Sequence, residues 1–114
     1  MTDTDWLVVC LCAEWCGVCG EYRSRFEAVR ARFPHVRFVW IDIEDQSDLV
    51  DPVEVDDFPT LLVACGNEPR FFGAIRPHPE VLERLLQGQL DAAPPQVPLA
   101  INLFALVLRL RSAL

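Results

Sequence analysis

The sequence predicts an α/β fold in which a four-stranded mixed sheet and its helices follow the order βαβαββα, with one extra helix at the C-terminus. Three observations carry this prediction. A short, nearly continuous apolar run covers residues 6–12, and residues 17–33 place apolar side chains at three- and four-residue steps. Residues 60–74 hold two short apolar segments separated by a turn. Such segments are typical of a buried strand, an amphipathic helix and a hairpin.

The first half of the chain predicts a parallel β-α-β unit. The run Trp6 to Cys12 is short and bounded, as expected for a strand buried on both faces. The helix after it has a stripe of apolar side chains on one side, and Pro34 ends it because the residue before a proline disfavours the helical conformation. Residues 36–43 predict the second strand. The helical stripe comprises Val18, Tyr22, Phe26, Val29 and Phe33.

The second half predicts an antiparallel hairpin and a last helix. The acidic stretch 42–57 matches no calcium-binding loop, and we expect it to be a solvated loop with a short helix at 45–50. Strands are predicted at 60–65 and 70–74, joined by a turn over Gly66 to Pro69. Residues 78–90 then predict an amphipathic helix.

The composition indicates one acidic domain. A chain of 114 residues has room for one ordinary core, and a formal charge of -7 without any lysine argues against a nucleic-acid surface. The apolar segment near the N-terminus is too short for a secretory signal and has no positive charge before it, so we expect a cytoplasmic location. Five cysteines, an odd number, fit poorly with a fully paired disulfide framework.

The motif Cys16-Gly17-Val18-Cys19 stands where the first strand gives way to the first helix. Two cysteines with this spacing lie about one helical turn apart on the same face, so their thiols can form or open a bond. Metal binding is the alternative, since zinc and haem sites use the same spacing. The chain has no second CxxC and no CxxCH.

Together, the segment Ala13 to Cys19, the triplet Phe58-Pro59-Thr60 before a strand, and Gly73 after the hairpin resemble the thioredoxin family over residues 6 to 90. The resemblance implies a thioredoxin-like three-layer fold. It also implies that Pro59 is a cis proline facing the dithiol, with an ordinary trans loop residue as the alternative.

The thiols predict the chemistry of disulfide exchange. A helix N-terminus favours negative charge, so Cys16 is the expected nucleophile and Cys19 the resolving thiol. No cofactor and no metal are needed. By the resemblance, Trp15 and the backbone around Pro59 form an apolar surface on which a partner chain lies, although packing is an equal alternative for Trp15 and Phe58. The predicted substrate-binding residues are Trp15, Gly17, Val18, Phe58, Pro59 and Thr60.

The sequence departs from the thioredoxin pattern around the motif. Cys10 stands where the family usually has a buried aspartate, and Trp40 stands where it has a lysine, so the proton-transferring pair is missing. Val18 replaces a proline between the cysteines, and Gly20 replaces a basic residue. We therefore expect slower or water-assisted turnover and a shifted redox potential.

Cys10 and Cys12 alternate along the first strand, so both side chains belong to one face. We expect them to act as small apolar residues. The alternatives are exchange with Cys19, or binding of a soft metal or iron–sulfur cluster together with the CxxC thiols. Three other side chains are expected to be structural or solvated: Cys65, His35 and His78.

The strand at Trp6 begins without the strand and helix that usually precede it in the family, which leaves one sheet face uncovered. After Pro94-Pro95, residues 99–110 form an apolar helical stretch too short for a membrane span of about 20 residues. We predict a domain at 1–92 and a helical segment at 93–114 that packs on this face or on a second copy in a dimer. Membrane-surface attachment is a lesser alternative, since only Arg109 and Arg111 would contact lipid headgroups.

Two functions from different classes follow. The first is an enzyme, a thiol–disulfide oxidoreductase that acts on protein disulfides and receives electrons from an upstream thiol reductant. The second is a thioredoxin-fold interaction or chaperone module with little catalytic turnover. The second function stays open because the buried acid and the N-terminal elements of the family are missing.

Overall fold

A computed structural model describes residues 6–13, 17–43, 59–76, 78–91 and 101–113. The strands within these described ranges are β1 (Trp6–Cys12), β2 (Arg37–Asp42), β3 (Thr60–Cys65) and β4 (Glu68–Ala74). The helices within these described ranges are α1 (Gly17–Arg32), α2 (Pro79–Asp91) and α3 (Ile101–Ala113). The predicted short helix at 45–50 and the predicted domain boundary at 92/93 involve residues outside the described ranges.

The strands form one mixed sheet in the order β2-β1-β3-β4. The pairing of β1 with β2 is parallel, while β3 is antiparallel to both β1 and β4. α1 therefore connects two adjacent parallel strands, as the β-α-β prediction requires. The predicted fold class, an α/β fold with a four-stranded mixed sheet, is confirmed.

Strand β1 is buried on both faces because it lies between two other strands and has helices above and below. Every residue from Trp6 to Cys12 is buried. The side chains that point to the first face, among them Val8 and Cys10, pack against α1 and α2. The α1 residues in this first-face core are Cys19, Tyr22, Phe26 and Val29, with Phe33 just after the helix. Cys19 thus adds one position to the predicted apolar stripe.

The second face of the sheet is covered by α3. Leu7, Val9 and Leu11 alternate with the first-face residues of β1 and pack against this helix. The buried α3 side chains are Leu103, Leu106, Val107 and Leu110. α3 is also tied to the hairpin, because the Arg111 guanidinium donates two hydrogen bonds, at 2.9 and 2.7 Å, to the carbonyl oxygen of Gly66. The sheet is therefore enclosed between helices on both sides.

The hairpin between β3 and β4 is tighter than the sequence indicated. Its turn contains two residues, and Gly66 has a φ of 60°, which glycine adopts without steric cost. β4 begins at Glu68 rather than at residue 70, so Pro69 belongs to the strand. A proline is tolerated there because β4 is an edge strand and the register shifts opposite Val63/Ala64.

No described helix is long and apolar enough to cross a membrane. α1 and α2 pack side by side on the first face and are joined by an ion pair between Arg32 and Glu83. The pair is exposed, so it contributes little to stability compared with the buried side chains beneath it.

Candidate functional site

A disulfide joins Cys12, the last residue of β1, to Cys19, in the first turn of α1. The two Cα atoms are 5.9 Å apart, which lies within the range that a disulfide spans without backbone movement. Both residues are buried, with 1% of Cys12 and 2% of Cys19 exposed. Cys12 is thus a bonding partner of Cys19, and its interpretation as a small apolar filler was wrong.

Cys16 and Trp15 lie outside the described residues. The sequence places Cys16 directly before Gly17, the residue with which α1 begins. The first turn of α1 contains no acidic side chain. The free N–H groups at the start of the helix attract a negatively charged thiolate. No carboxylate in that turn weakens this attraction by repelling the thiolate.

Cys10 lies beneath the disulfide with no exposed surface. Its sulfur is 3.9 Å from the sulfur of Cys12. Because Cys12 carries no proton while it is bonded to Cys19, Cys10 is the donor of this weak S–H hydrogen bond. The parallel register places Cys10 opposite Trp40, so these two residues are neighbours on adjacent strands.

Burial raises the pKa of Cys10 from an ordinary value of 9.0 to about 12. A thiol with this pKa stays protonated at neutral pH and is a poor nucleophile. Cys10 can therefore donate a hydrogen bond to the neighbouring sulfur, but at neutral pH it cannot accept a proton as an ionised carboxylate would.

Tyr22 is the residue near the thiols that the sequence analysis did not single out for the site. It lies one helical turn after Cys19 on the buried side of α1, and it is completely buried. Its hydroxyl has no hydrogen-bond partner among the residues that the structure describes. Burial, with a smaller contribution from negative charge on Cys10, raises its pKa. In the sequence, the spacing of three residues between Cys19 and Tyr22 indicates that the two side chains share one face of the helix. The same spacing is expected of any core residue on α1, so it does not by itself assign Tyr22 to the site.

The raised pKa of Cys10 predicts that stability falls in alkali. The unfolded thiol ionises near 9.0 and the folded one near about 12, so between these values the unfolded state binds fewer protons and the free energy of unfolding decreases as pH rises. The loss from this group at pH 10 is roughly 1 kcal/mol. Urea unfolding at pH 7 and pH 10, with a reductant present, should show a smaller loss in Cys10→Ala than in the native chain. Equal losses would show that Cys10 is not the titrating group.

For three of the six predicted substrate-binding residues, the structure gives both the position and the exposure to solvent. Gly17 is exposed at the start of α1, and an added Cβ there would meet no atom within 4 Å. Pro59 and Thr60 are buried, and the carbonyl oxygen of Pro59 accepts a hydrogen bond of 3.1 Å from the Ile75 N–H. Trp15 and Phe58 lie outside the described residues. Val18 belongs to α1, but its side chain is not described.

The remaining candidate side chains lie apart from the disulfide. Cys65 is a free, half-buried cysteine that pairs in register with Trp6, at the opposite end of β1 from Cys12. His35 and His78 are exposed. In the part of the chain that the structure describes, no cluster of three or more His, Cys, Asp or Glu side chains is arranged to hold a metal ion.

Comparison with known proteins gives a consistent result. A family model described as Thioredoxin matches residues 1–86. Mitochondrial thioredoxin-3 of Saccharomyces cerevisiae is 31% identical over 83 residues, which cover 72% of this chain and 64% of that protein. Its oxidised crystal structure aligns with a TM-score of 0.65 at 28% identity and covers 73% of this chain and 77% of that one. Thioredoxin from Trypanosoma brucei brucei aligns with a TM-score of 0.68 at 25% identity, with 77% of each chain covered. The chain spans 47% to 64% of the length of the curated thioredoxins that it matches.

Proposed function

The chain belongs to the thioredoxin family, and on that premise we propose that it is a thiol–disulfide oxidoreductase that reduces or exchanges disulfides of other proteins through Cys16 and Cys19. The observation that carries the proposal is the disulfide at Cys19, the second cysteine of the CxxC motif. A sulfur that takes part in a disulfide within the fold can also leave it by exchange, which is the chemistry the proposal requires.

In the proposed reaction Cys16 is the nucleophile. Its thiolate attacks one sulfur of the substrate disulfide, the other substrate sulfur leaves as a thiolate, and a mixed disulfide forms. The support comes from the start of α1 directly after Cys16, because helix N-termini lower the pKa of a cysteine.

Cys19 is the resolving thiol. It attacks the Cys16 sulfur of the mixed disulfide, releases the second substrate thiol and leaves the protein oxidised. The burial of Cys19 supports this role, since a buried thiol is reached more readily by its neighbour in the chain than by an external protein. A thiol reductant returns the oxidised protein to the dithiol, so no bound cofactor is required.

A partner chain would lie along the apolar surface formed by Trp15, Gly17, Val18 and the triplet Phe58-Pro59-Thr60. The exposure of Gly17 and the open space beside it support close approach of another backbone. Since the side chain of Thr60 is buried and its backbone lies in the sheet opposite Leu11 and Ala74, we propose that Thr60 contributes by fixing the position of the neighbouring Pro59. We also propose a cis peptide bond before Pro59 and a reducing cytosol as the compartment.

Insulin reduction tests the proposal. With a thiol reductant, the full-length protein should accelerate the precipitation of insulin, and Cys16→Ser should reduce the rate to that of the reductant alone because no nucleophile remains. Cys65→Ser is the matched control and should keep the native rate, because Cys65 lies at the far end of the sheet from the disulfide. Activity that survives in Cys16→Ser would contradict the assigned nucleophile.

A second candidate function is an interaction or chaperone module with little turnover. The observation that favours it is the bond between Cys19 and Cys12, which leaves the resolving sulfur without a free thiol. The same insulin assay separates the two functions. A native rate no higher than that of Cys16→Ser would favour the module and would count against the enzyme.

A further inference from the structure

Building on the proposed function, we propose that Cys12 is a third redox-active thiol. It displaces Cys16 from its disulfide with Cys19 and forms the buried Cys12–Cys19 disulfide, which we call the stored bond. The proposal starts from the bond itself. Cys19 carries one sulfur, and in the structure that sulfur is bonded to Cys12 rather than to its partner within the motif. Cys12 lies seven residues before Cys19, at the end of the strand that leads into the motif.

The step is an exchange without net oxidation. After a substrate has been reduced, Cys19 is bonded to Cys16. The thiolate of Cys12 attacks the Cys19 sulfur, the Cys12–Cys19 bond forms, and the electron pair of the broken bond leaves with the Cys16 sulfur. The proton lost by Cys12 is balanced by the one that Cys16 takes up. The disulfide has then moved inward, and Cys16 is again a free thiol.

Burial explains what the transfer achieves. With 1% of Cys12 and 2% of Cys19 exposed, a protein or glutathione thiol cannot reach either sulfur directly in the folded chain. The stored bond is therefore opened and closed from within, by Cys16. In this state the chain has already given two electrons to a first substrate disulfide. The free Cys16 thiol can still form a mixed disulfide with a second substrate.

Cys10 assists the reopening of the Cys12–Cys19 bond and does not itself form a disulfide. Its sulfur lies 3.9 Å from that of Cys12 and donates the S–H hydrogen bond to it. When the bond is reopened, Cys12 leaves as a thiolate in the core, and a neighbouring S–H donor stabilises that charge. The unpartnered Tyr22 hydroxyl lies on the same side of the sheet, in the same core as Cys10.

Peptide mapping of the full-length protein tests the proposal, because Glu14 and Glu21 separate the relevant cysteines. The protein is oxidised with glutathione disulfide, its free thiols are blocked with N-ethylmaleimide at acid pH, and it is cut with a glutamate-specific protease. Cys10 and Cys12 then lie in peptide 1–14, and Cys16 and Cys19 lie in peptide 15–21. We expect the two peptides to be cross-linked through Cys12 and Cys19, with Cys16 blocked. A bond confined to peptide 15–21, with Cys12 blocked, would overturn the proposal.

Three variants test the individual roles. Cys12→Ala should lose the cross-link and show the internal Cys16–Cys19 bond instead, whereas Cys10→Ala should keep the cross-link. Cys16→Ser should form the cross-link roughly tenfold more slowly or worse, because glutathione disulfide must enter through Cys16. A cross-link that depends on Cys10, or that forms equally fast without Cys16, would overturn the proposal. Because the map of the native protein needs no variant, the proposal can fail even if a variant does not fold.

The mapping and the insulin assay fail independently. A protein that reduces insulin but never shows the cross-link contradicts the storage of the disulfide and leaves the proposed function standing. A cross-linked protein without insulin turnover contradicts the proposed function. It leaves the transfer standing, because in the mapping experiment glutathione disulfide, and not insulin, oxidises Cys16 and Cys19.

Discussion

Deletion of residues 92–114 is expected to abolish cooperative unfolding and to leave a chain that aggregates. The deletion removes α3, which covers the second face of the sheet. The side chains of Leu7, Val9 and Leu11 on β1 would then face water, next to Ile41 and Leu62 on the adjacent strands. A contiguous apolar surface of this kind promotes association between copies.

The magnitude of the loss follows from the four buried side chains of α3. Burying a Leu or Val side chain contributes about 1.5–3 kcal/mol, so the four together contribute roughly 6–12 kcal/mol before the cost of ordering the helix. The whole stability of an ordinary domain is about 5–15 kcal/mol. The loss is therefore comparable to the total, and the truncated chain should show no two-state transition in urea. The four side chains are Leu103, Leu106, Val107 and Leu110.

Two single substitutions on α3 provide matched variants. Leu106 is completely buried, and Leu106→Ala should lower the free energy of unfolding by about 2–5 kcal/mol. Leu108 is 51% exposed, and Leu108→Ala should change it by less than about 0.5 kcal/mol. A truncated chain that stays soluble, monomeric and equally stable would contradict the role assigned to α3. A dimer that dissociates on truncation would show that the helix covers the face of a second copy.

The fold could be predicted because its signals are local in sequence. The apolar run of β1 and the helical period of α1 each lie within a short window, and Pro34 marks the end of that helix region. The start of β4 was misplaced for a physical reason. Pro69 is normally a poor strand residue, and only its position on an edge strand with a shifted register makes it acceptable.

The site was less predictable than the fold. The CxxC spacing indicated exchange chemistry, but the pairing of Cys12 with Cys19 depends on how the end of β1 meets the first turn of α1 in three dimensions. Sequence alone does not determine which cysteines are bonded when several lie close together. The hydroxyl of Tyr22, unpartnered among the described residues, could not be predicted either, because Tyr22 occupies a position in the apolar stripe of α1 that ordinary core residues also occupy.

Replacing Cys19 should stop the proposed reaction at the mixed disulfide. In Cys19→Ser, Cys16 still attacks a substrate disulfide, but no thiol one turn further along the helix can release it, so the covalent complex accumulates. The double variant Cys12→Ala/Cys19→Ser removes both partners of the observed disulfide and should trap at least as much complex. The native protein should show little complex, because resolution is fast.

The position of the trapped bond tests the central claim most directly. Cys19→Ser is incubated with insulin, the free thiols are blocked, and the covalent complex is isolated without reductant and cut with a glutamate-specific protease. We predict that the insulin peptide is attached to residues 15–21, in which Cys16 is then the single cysteine. The claim would be contradicted by a variant that forms no complex. It would be contradicted equally by attachment through Cys10, Cys12 or Cys65 that persists in Cys16→Ser/Cys19→Ser.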